Sequence, residues 1–198
     1  MKKAAFIGVG NMGGAMARAA CRAVGADQVV LANRTRSKAE ELAAELGCTV
    51  AKDNAEAVRS AQYVFLCVKP GSMRMLLGEL DRVLGGGLDG TVRVFVSMAA
   101  GVKLKMIREY LKSNGSAVPL LRIMPNTCVA IGQGMTALCA AGDVDEVHIR
   151  GVEEILSATG RVDRLSEGLM DQFTAVAGCG PAYVYPYIEA LADGGVAA

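Results

Sequence analysis

Three glycines near the start of the chain are the residues best suited to chemistry. Gly8, Gly10 and Gly13 form a G-x-G-x-x-G pattern between the apolar run Ala4–Ile7 and a segment of helical period. In this context the first glycine permits a tight turn, the second lets backbone N–H groups approach a pyrophosphate, and the third lets the helix pack close to the strand. The helix N-terminus then faces the anion. The pattern predicts a dinucleotide site with contacts from Gly8, Gly10, Asn11, Met12 and Gly13.

The end of the predicted second strand, Gln28–Ala32, carries the next signal. An enzyme that uses NAD places an acidic residue there, about 20 residues after the glycines, to bind the ribose 2′-hydroxyl. This chain has Asn33-Arg34-Thr35 instead. A guanidinium and a hydroxyl suit a 2′-phosphate, and no carboxylate repels it, so the sequence favours NADP(H), with NAD(H) left open. The alternative is that Arg34 is a solvated residue at a helix start.

Two more strand ends are predicted to meet the cofactor, because ligands of open α/β sheets bind at the carboxyl ends of the strands. Val68-Lys69-Pro70 ends the predicted strand Tyr63–Val68, and Lys69 could donate to the ribose or diphosphate. A plain strand-to-helix turn with a solvated lysine is the alternative. After the strand Val92–Ser97, the small residues Ala99 and Ala100 leave room for a nicotinamide ring. Asn54 completes the predicted cofactor-binding set.

Other reactive groups are sparse. The six cysteines include no C-x-x-C pair, and the one histidine, His148, lies in a charged helical stretch that predicts a surface position. We therefore predict no metal site and reduced cysteines, and name no catalytic acid.

Short β-branched runs and amphipathic segments alternate over the first half of the chain. Strands are predicted at Ala4–Gly8, Gln28–Ala32, Thr49–Ala51, Tyr63–Val68, Val92–Ser97 and Val118–Ile123, and later helices at Val102–Leu111 and Asp143–Ala158. This alternation is typical of parallel βαβ units. The predicted fold class is α/β, a Rossmann-type doubly wound, mostly parallel sheet.

The character of the chain changes after Glu167. Gly178-Cys179-Gly180-Pro181 is predicted to end one helix and begin another, because proline suits the first helical turn. The next segment, Ala182–Ala192, is apolar on nearly every helical face. We expect a second subunit or a further C-terminal portion to bury it.

Charge and hydropathy restrict the partners. Twenty-one basic against twenty acidic residues give a formal net charge of +1, so the chain has no overall field that would attract nucleic acid or anionic lipid. No run approaches the roughly 20 apolar residues of a membrane span. The first apolar run is short and is followed by glycines, so it does not continue as the apolar core of a signal peptide. We expect a cytoplasmic protein with a small-molecule partner, no nucleic acid and no membrane.

In order and spacing, these motifs resemble pyrroline-5-carboxylate reductases. The resemblance covers the whole chain and rests on Gly8–Gly13, Asn33-Arg34-Thr35, Val68-Lys69-Pro70, Ser97–Val102, Met124-Pro125-Asn126-Thr127, Gly132–Thr136 and Gly178–Tyr183. Two positions depart from the family: Cys128 stands where proline is common, and Cys179 where serine is common. The family continues for several helices beyond the position of Ala198, so we expect a longer natural protein.

The resemblance implies NADPH-dependent reduction of the C=N bond of 1-pyrroline-5-carboxylate to L-proline. An imine can be protonated from solution, so orientation is the main requirement. Met124, Pro125 and Asn126 would wall the nicotinamide, and Gly178, Cys179 and Gly180 would cradle the substrate carboxylate. The implied division is an NADP-binding Rossmann domain at 1–165 and the start of an all-α dimerisation domain at 166–198, in a homodimer or higher homo-oligomer.

Two other functions remain open. A β-hydroxyacid dehydrogenase also opens with G-x-G-x-M-G and an NRT-like turn, but uses a lysine on the inter-domain helix as its proton shuttle. Here no lysine follows Lys112. The other alternative is a non-catalytic module that binds NADP.

Overall fold

The computed structural model describes residues 1–88, 90–111 and 117–198. Eight strands in this part of the chain form a sheet of order β3-β2-β1-β4-β5-β6-β7-β8. Their bounds are β1 Lys2–Ile7, β2 Val29–Ala32, β3 Thr49–Val50, β4 Ala61–Leu66, β5 Val94–Ser97, β6 Leu120–Pro125, β7 Gly134–Ala140 and β8 Gly160–Arg164. The α-helices are α1 Asn11–Val24, α2 Arg36–Leu46, α3 Asn54–Ser60, α4 Pro70–Gly85, α5 Leu104–Tyr110, α6 Glu146–Leu156, α7 Met170–Phe173 and α8 Gly180–Ala197.

The strand order reverses at β1. From β1 the chain runs outward through β2 and β3, then returns to pair β4 against the other side of β1. All neighbouring strands are parallel except β6 and β7. The doubly wound, mostly parallel fold is therefore confirmed, with its crevice at the carboxyl ends of β1 and β4.

The strands β7 and β8 extend the sheet beyond the predicted elements. A single 3₁₀ turn, Thr127–Ile131, leads from β6 towards β7. This link is too short for the crossover that a parallel neighbour needs, so β7 pairs antiparallel to β6.

Helices cover both faces of the sheet, which explains the nearly continuous apolar strands. Ala4, Ala5 and Phe6 of β1 are all fully buried. One face packs against α1, α2 and α6, and the other against α3, α4, α5 and Met170 of α7. Burial on both sides favours apolar residues at every strand position.

The boundary predicted at Gly178–Pro181 is present, with Pro181 in the first turn of α8, but the helical path is not sharply broken there. A π-helical turn, Thr174–Gly178, joins α7 to α8, and Cys179 keeps a right-handed helical backbone at φ −90° and ψ −19°. The N–H of Cys179 donates to the carbonyl of Thr174 at 2.8 Å, five residues back. The helical path widens here to admit Pro181, which lacks an N–H, and it continues.

The helix α8 follows this turn and has no buried residue. Its large apolar side chains, including Tyr183, Tyr187, Ile188 and Leu191, are more than half exposed. Within the described residues, no helix is both long and apolar enough to span a bilayer.

Candidate cofactor and substrate site

The three glycines of the fingerprint meet different steric demands. A Cβ on Gly13 would lie 2.0 Å from the carbonyl oxygen of Gly8, and a Cβ on Gly8 would lie 2.8 Å from that of Cys67. Gly8 also has a φ of +98°. A Cβ on Gly10 would meet no atom within 4 Å. Gly8 and Gly13 are thus required by packing, whereas Gly10 keeps open the space outside the N-terminus of α1.

A cavity of about 520 Å³ adjoins this open space. Gly10 and Asn11 line one end of it, and Arg18, Lys38 and Glu45 line the part between α1 and α2. Arg18 is paired with Glu45. Lys38 is exposed and has no ion pair with any residue that the structure describes. Sequence reasoning missed Lys38, although its position three residues after Thr35 could have suggested it.

Asn33 holds the fingerprint loop against the end of β2. Its Oδ1 accepts from the N–H of Val9 at 3.1 Å, and its Nδ2 donates to the carbonyl of Thr35 at 2.9 Å. These bonds fix the turn that carries Arg34. The Arg34 side chain is exposed and, within residues 1–88, 90–111 and 117–198, has no acidic partner.

The strand register aligns the other predicted cofactor residues with the glycines. Ile7 of β1 lies opposite Leu66 of β4, which lies opposite Ser97 of β5. The segments that follow, with Gly8, Lys69 and Ala99, therefore begin at one edge of the sheet. Their positions are Val68 half-buried, Lys69 and Pro70 exposed at the start of α4, Ala99 buried and Ala100 exposed.

Asn54 lies at the start of α3 and is already engaged. Its Nδ2 donates to Oε2 of Glu79 on α4 at 3.1 Å. That bond leaves the amide oxygen and the second N–H of Asn54 as the groups that could contact a cofactor.

The structure brings the two predicted groups of substrate residues together. Asn126 follows β6, is only 8% exposed, and donates through Nδ2 to the carbonyl of Ala177 at 3.0 Å. This bond places Gly178 beside the Met124-Pro125 end of β6. A Cβ on Gly180 would meet nothing within 4 Å, so this position is open.

One part of the expected carboxylate cradle needs correction. The resemblance implies a carboxylate cradle at Gly178-Cys179-Gly180, but the N–H of Cys179 donates to the carbonyl of Thr174 and is not free for a substrate. Cys179 is the N-cap of α8, but the preceding π-turn already uses its N–H group. The segment still lines the predicted substrate region.

Burial or a neighbouring group shifts the pKa of several of the remaining reactive side chains. Burial raises the pKa of the Cys67 thiol, and it raises that of Cys139 to about 11. The side chain of Cys128 lies 3.7 Å from the hydroxyl of Tyr185, and this contact raises the pKa of Tyr185. No group of three or more potential metal ligands occurs in the described segments. His148 is partly buried rather than fully exposed.

A second cavity, of about 400 Å³, lies at the other edge of the sheet. Leu104, Arg108, Leu120 and Asp143 line it. Leu120 begins β6, so this cavity lies at the amino end of that strand. It is therefore separate from the edge that carries the glycines.

Comparisons with known proteins match both parts of the chain. The family model for NADP oxidoreductase, coenzyme F420-dependent, matches residues 3–101, and that for pyrroline-5-carboxylate reductase dimerisation matches residues 167–198. A pyrroline-5-carboxylate reductase from Aquifex aeolicus is 33% identical over 191 residues, covering 96% of this chain and 68% of the relative. The chain belongs to the pyrroline-5-carboxylate reductase family.

Solved structures agree with this membership. A pyrroline-5-carboxylate reductase from Coxiella burnetii superposes with a TM-score of 0.87 at 29% identity, covering 98% of this chain and 70% of the other. A pyrroline carboxylate reductase from Plasmodium falciparum, solved with NADP bound, gives a TM-score of 0.83 at 26% identity, covering 98% and 69%. The family resemblance read from the motifs is confirmed.

Proposed function

We propose that this chain reduces the C=N bond of 1-pyrroline-5-carboxylate with NADPH and releases L-proline. The observation that carries the proposal is the shared edge of β1, β4, β5 and β6. There the open glycine loop faces the same side as the Met124–Asn126 wall, in a member of the pyrroline-5-carboxylate reductase family.

The residues at this edge fit a dinucleotide. The empty volume beside Gly10 admits a diphosphate, and the N-terminus of α1 supplies backbone donors and a positive dipole end. We assign the diphosphate to Gly8, Gly10, Asn11, Met12 and Gly13. We assign the remaining contacts along the edge to Asn54, Val68, Lys69, Pro70, Ala99 and Ala100.

NADPH is the preferred cofactor in this proposal. The 2′-phosphate would meet Arg34 and Thr35, and Lys38 on the first turn of α2 adds a second cation near them. Neither cation is neutralised by a described acid, so both can bind an anion. NADH lacks the phosphate and gains nothing from these cations.

The protein's part in the reaction is orientation. Bound NADPH supplies the hydride. Ala99 and Ala100 would lie beside the bound cofactor, and the segment Gly178–Gly180 would help to orient the imine. A protonated imine needs no further acid to accept a hydride, so the proposal assigns no catalytic acid.

We further propose a two-part organisation, with cofactor binding at 1–165 and substrate binding and assembly at 166–198. The dimerisation match at 167–198 and the exposed apolar surface of α8 support a homodimer or higher homo-oligomer. A small-molecule substrate, a cytoplasmic location and no nucleic-acid partner complete the proposal.

The test is loss of NADPH absorbance in the presence of 1-pyrroline-5-carboxylate. We expect substrate-dependent oxidation of NADPH and formation of L-proline. A β-hydroxyacid such as 3-hydroxyisobutyrate with NADP⁺ should give no turnover. NADPH binding without any imine reduction, in every assembly state, would instead support the non-catalytic module.

A further inference from the structure

Pro181 leaves a carbonyl group without its usual helical partner. In a regular helix, the N–H of residue 181 would donate to the carbonyl of Ala177, four residues back. Proline has no N–H, so this bond cannot form. The next donor, the N–H of Ala182, bonds to the carbonyl of Cys179 at 2.9 Å. The carbonyl of Ala177 therefore needs a donor from outside the helix.

Asn126 supplies that donor. Its Nδ2 lies 3.0 Å from the carbonyl oxygen of Ala177, 51 residues away in the sequence. The other end of the same amide accepts from the N–H of Met135, at the start of β7, at 3.2 Å. The side chain thus joins three elements: the end of β6, the start of β7 and the π-turn.

The amide is held firmly enough to fix this position. Asn126 is 8% exposed, and its Oδ1 bond to the backbone of β7 restricts rotation of the amide. A buried amide that lost either partner would leave a polar atom unsatisfied, which is costly. The bond to Met135 therefore fixes the amide in the orientation that points Nδ2 at the carbonyl of Ala177.

We infer that Asn126 is a positioning residue that replaces the hydrogen bond lost at Pro181. Its hydrogen bond to Ala177 holds the π-turn, and with it Gly178–Gly180, in a fixed position beside Met124 and Pro125. On this account Asn126 acts on the substrate through the turn, rather than by direct contact. The expected effect on substrate rests on the proposed function. The coupling between Asn126 and Pro181 rests only on the hydrogen bonds and does not depend on that function.

A double-mutant cycle tests the coupling. The proteins are wild type, Asn126→Ala, Pro181→Ala and the double variant. Alanine at 181 restores the N–H that the Ala177 carbonyl lacks. We expect Asn126→Ala to speed hydrogen exchange in residues 174–182 by about tenfold in the wild-type background, and by less than about twofold when residue 181 is alanine.

The Michaelis constants separate positioning from contact. Asn126→Ala should raise the KM for 1-pyrroline-5-carboxylate about tenfold and leave the KM for NADPH within about twofold. Pro181→Ala should remove most of the Asn126→Ala effect on the imine. A direct substrate contact would be lost equally in both backgrounds, and that result overturns the inference.

Two more variants complete the design. Cys128→Ala removes the nearby contact with Tyr185 but not the bond to Ala177, so exchange in residues 174–182 should stay at the wild-type rate.

Asn126→Asp keeps the acceptor for Met135 and places an oxygen against the Ala177 carbonyl. In Asn126→Asp, hydrogen exchange in residues 174–182 should be at least as fast as in Asn126→Ala. Exchange at the wild-type rate in Asn126→Asp would overturn the inference, even if Pro181→Ala failed to fold. A wild-type protein that does not reduce the imine rejects the proposed function alone, because the exchange cycle needs no turnover.

Discussion

At the scale of single residues, Gly10 and Gly13 separate binding from folding. Gly13 has the carbonyl of Gly8 where its Cβ would be, whereas Gly10 has open space. Gly10 also has an ordinary backbone, at φ −71° and ψ −167°, which other residues adopt. A side chain at 10 would therefore occupy space that the diphosphate needs, and a side chain at 13 would disturb the contact of α1 with β1.

The first prediction uses this contrast. Gly10→Val should fold, with a free energy of unfolding within about 1 kcal/mol of wild type, and bind NADPH at least about 30-fold more weakly. Gly13→Ala should lose about 3 kcal/mol, a fall of roughly 6 to 12 °C in Tm. Thermal unfolding and NADPH titration measure both. Unchanged NADPH affinity in folded Gly10→Val would reject the fingerprint assignment.

The second prediction concerns cofactor preference. Arg34→Ala should weaken NADPH binding about 10- to 100-fold, because a charge-assisted bond to phosphate is lost, and should leave NADH nearly unchanged. Arg36→Ala is the matched control, since Arg36 is already paired with Glu40 at 2.7 Å. Titration of both cofactors decides the matter. Equal loss for NADPH and NADH would remove Arg34 from the 2′-phosphate site.

Sequence reasoning reached these residues because glycine patterns and strand ends carry local information. It could not show that the Asn33 amide accepts a hydrogen bond from the glycine loop, or that Asn126 donates one to a carbonyl 51 residues away. Both facts depend on tertiary contacts. Lys38 is different, because its spacing from Thr35 could have suggested it, and only its place beside the cavity depends on the packing of α2 against α1.

At the scale of elements, a buried charge connects the sheet to the C-terminal helices. The guanidinium of Arg122, on β6, is 1% exposed, and its Nη1 lies 3.4 Å from Oε1 of Glu167. The same oxygen accepts from the N–H of Leu104 at the start of α5, at 2.7 Å. Among the residues that the structure describes, Nε and Nη2 of Arg122 have no hydrogen-bond partner. Glu167 therefore compensates a cation that is poorly satisfied elsewhere.

The third prediction follows from that imbalance. Glu167→Ala leaves the buried cation uncompensated and should cost about 3 kcal/mol, whereas Arg122→Met removes the charge at similar volume and should cost less than about 1 kcal/mol. The surface pair of Arg161 and Asp163 provides the control, and Asp163→Ala should leave Tm unchanged. Chemical denaturation of the three variants measures the difference. Equal losses for Glu167→Ala and Arg122→Met would contradict the argument.

Strands and helices were predicted correctly where the hydrophobic periodicity and the residue composition indicate the same element. The strands β1, β2 and β4 were located to within two residues at each end, because β-branched, apolar runs stand between clear helical segments. The antiparallel β7 and the strand β8 were not predicted, and neither was the π-turn that precedes the predicted helix boundary. The first depends on pairing with β6, and the last on a donor from Asn126 that local sequence cannot reveal.

At the scale of the whole molecule, α8 dominates the exposed apolar surface. Tyr183, Val184, Tyr185, Tyr187, Ile188 and Leu191 are between 50% and 66% exposed. At about 25 cal/mol per Å², the free energy available from covering such side chains is on the order of 5 to 10 kcal/mol, comparable to the stability of a domain. A patch of this kind marks a surface for association.

The last prediction is that the 198-residue chain self-associates through α8. Sedimentation should show dimers or larger species at micromolar concentration. Ile188→Glu should shift them towards monomer, because covering the helix would then bury an unpaired carboxylate. Val147→Glu is the matched control, since Val147 is 66% exposed on α6 and lies outside this surface. NADPH affinity should survive both substitutions, because the glycine loop lies apart from α8, whereas imine reduction should fall with the loss of association in Ile188→Glu. A monodisperse, fully active wild-type monomer would contradict the role assigned to α8.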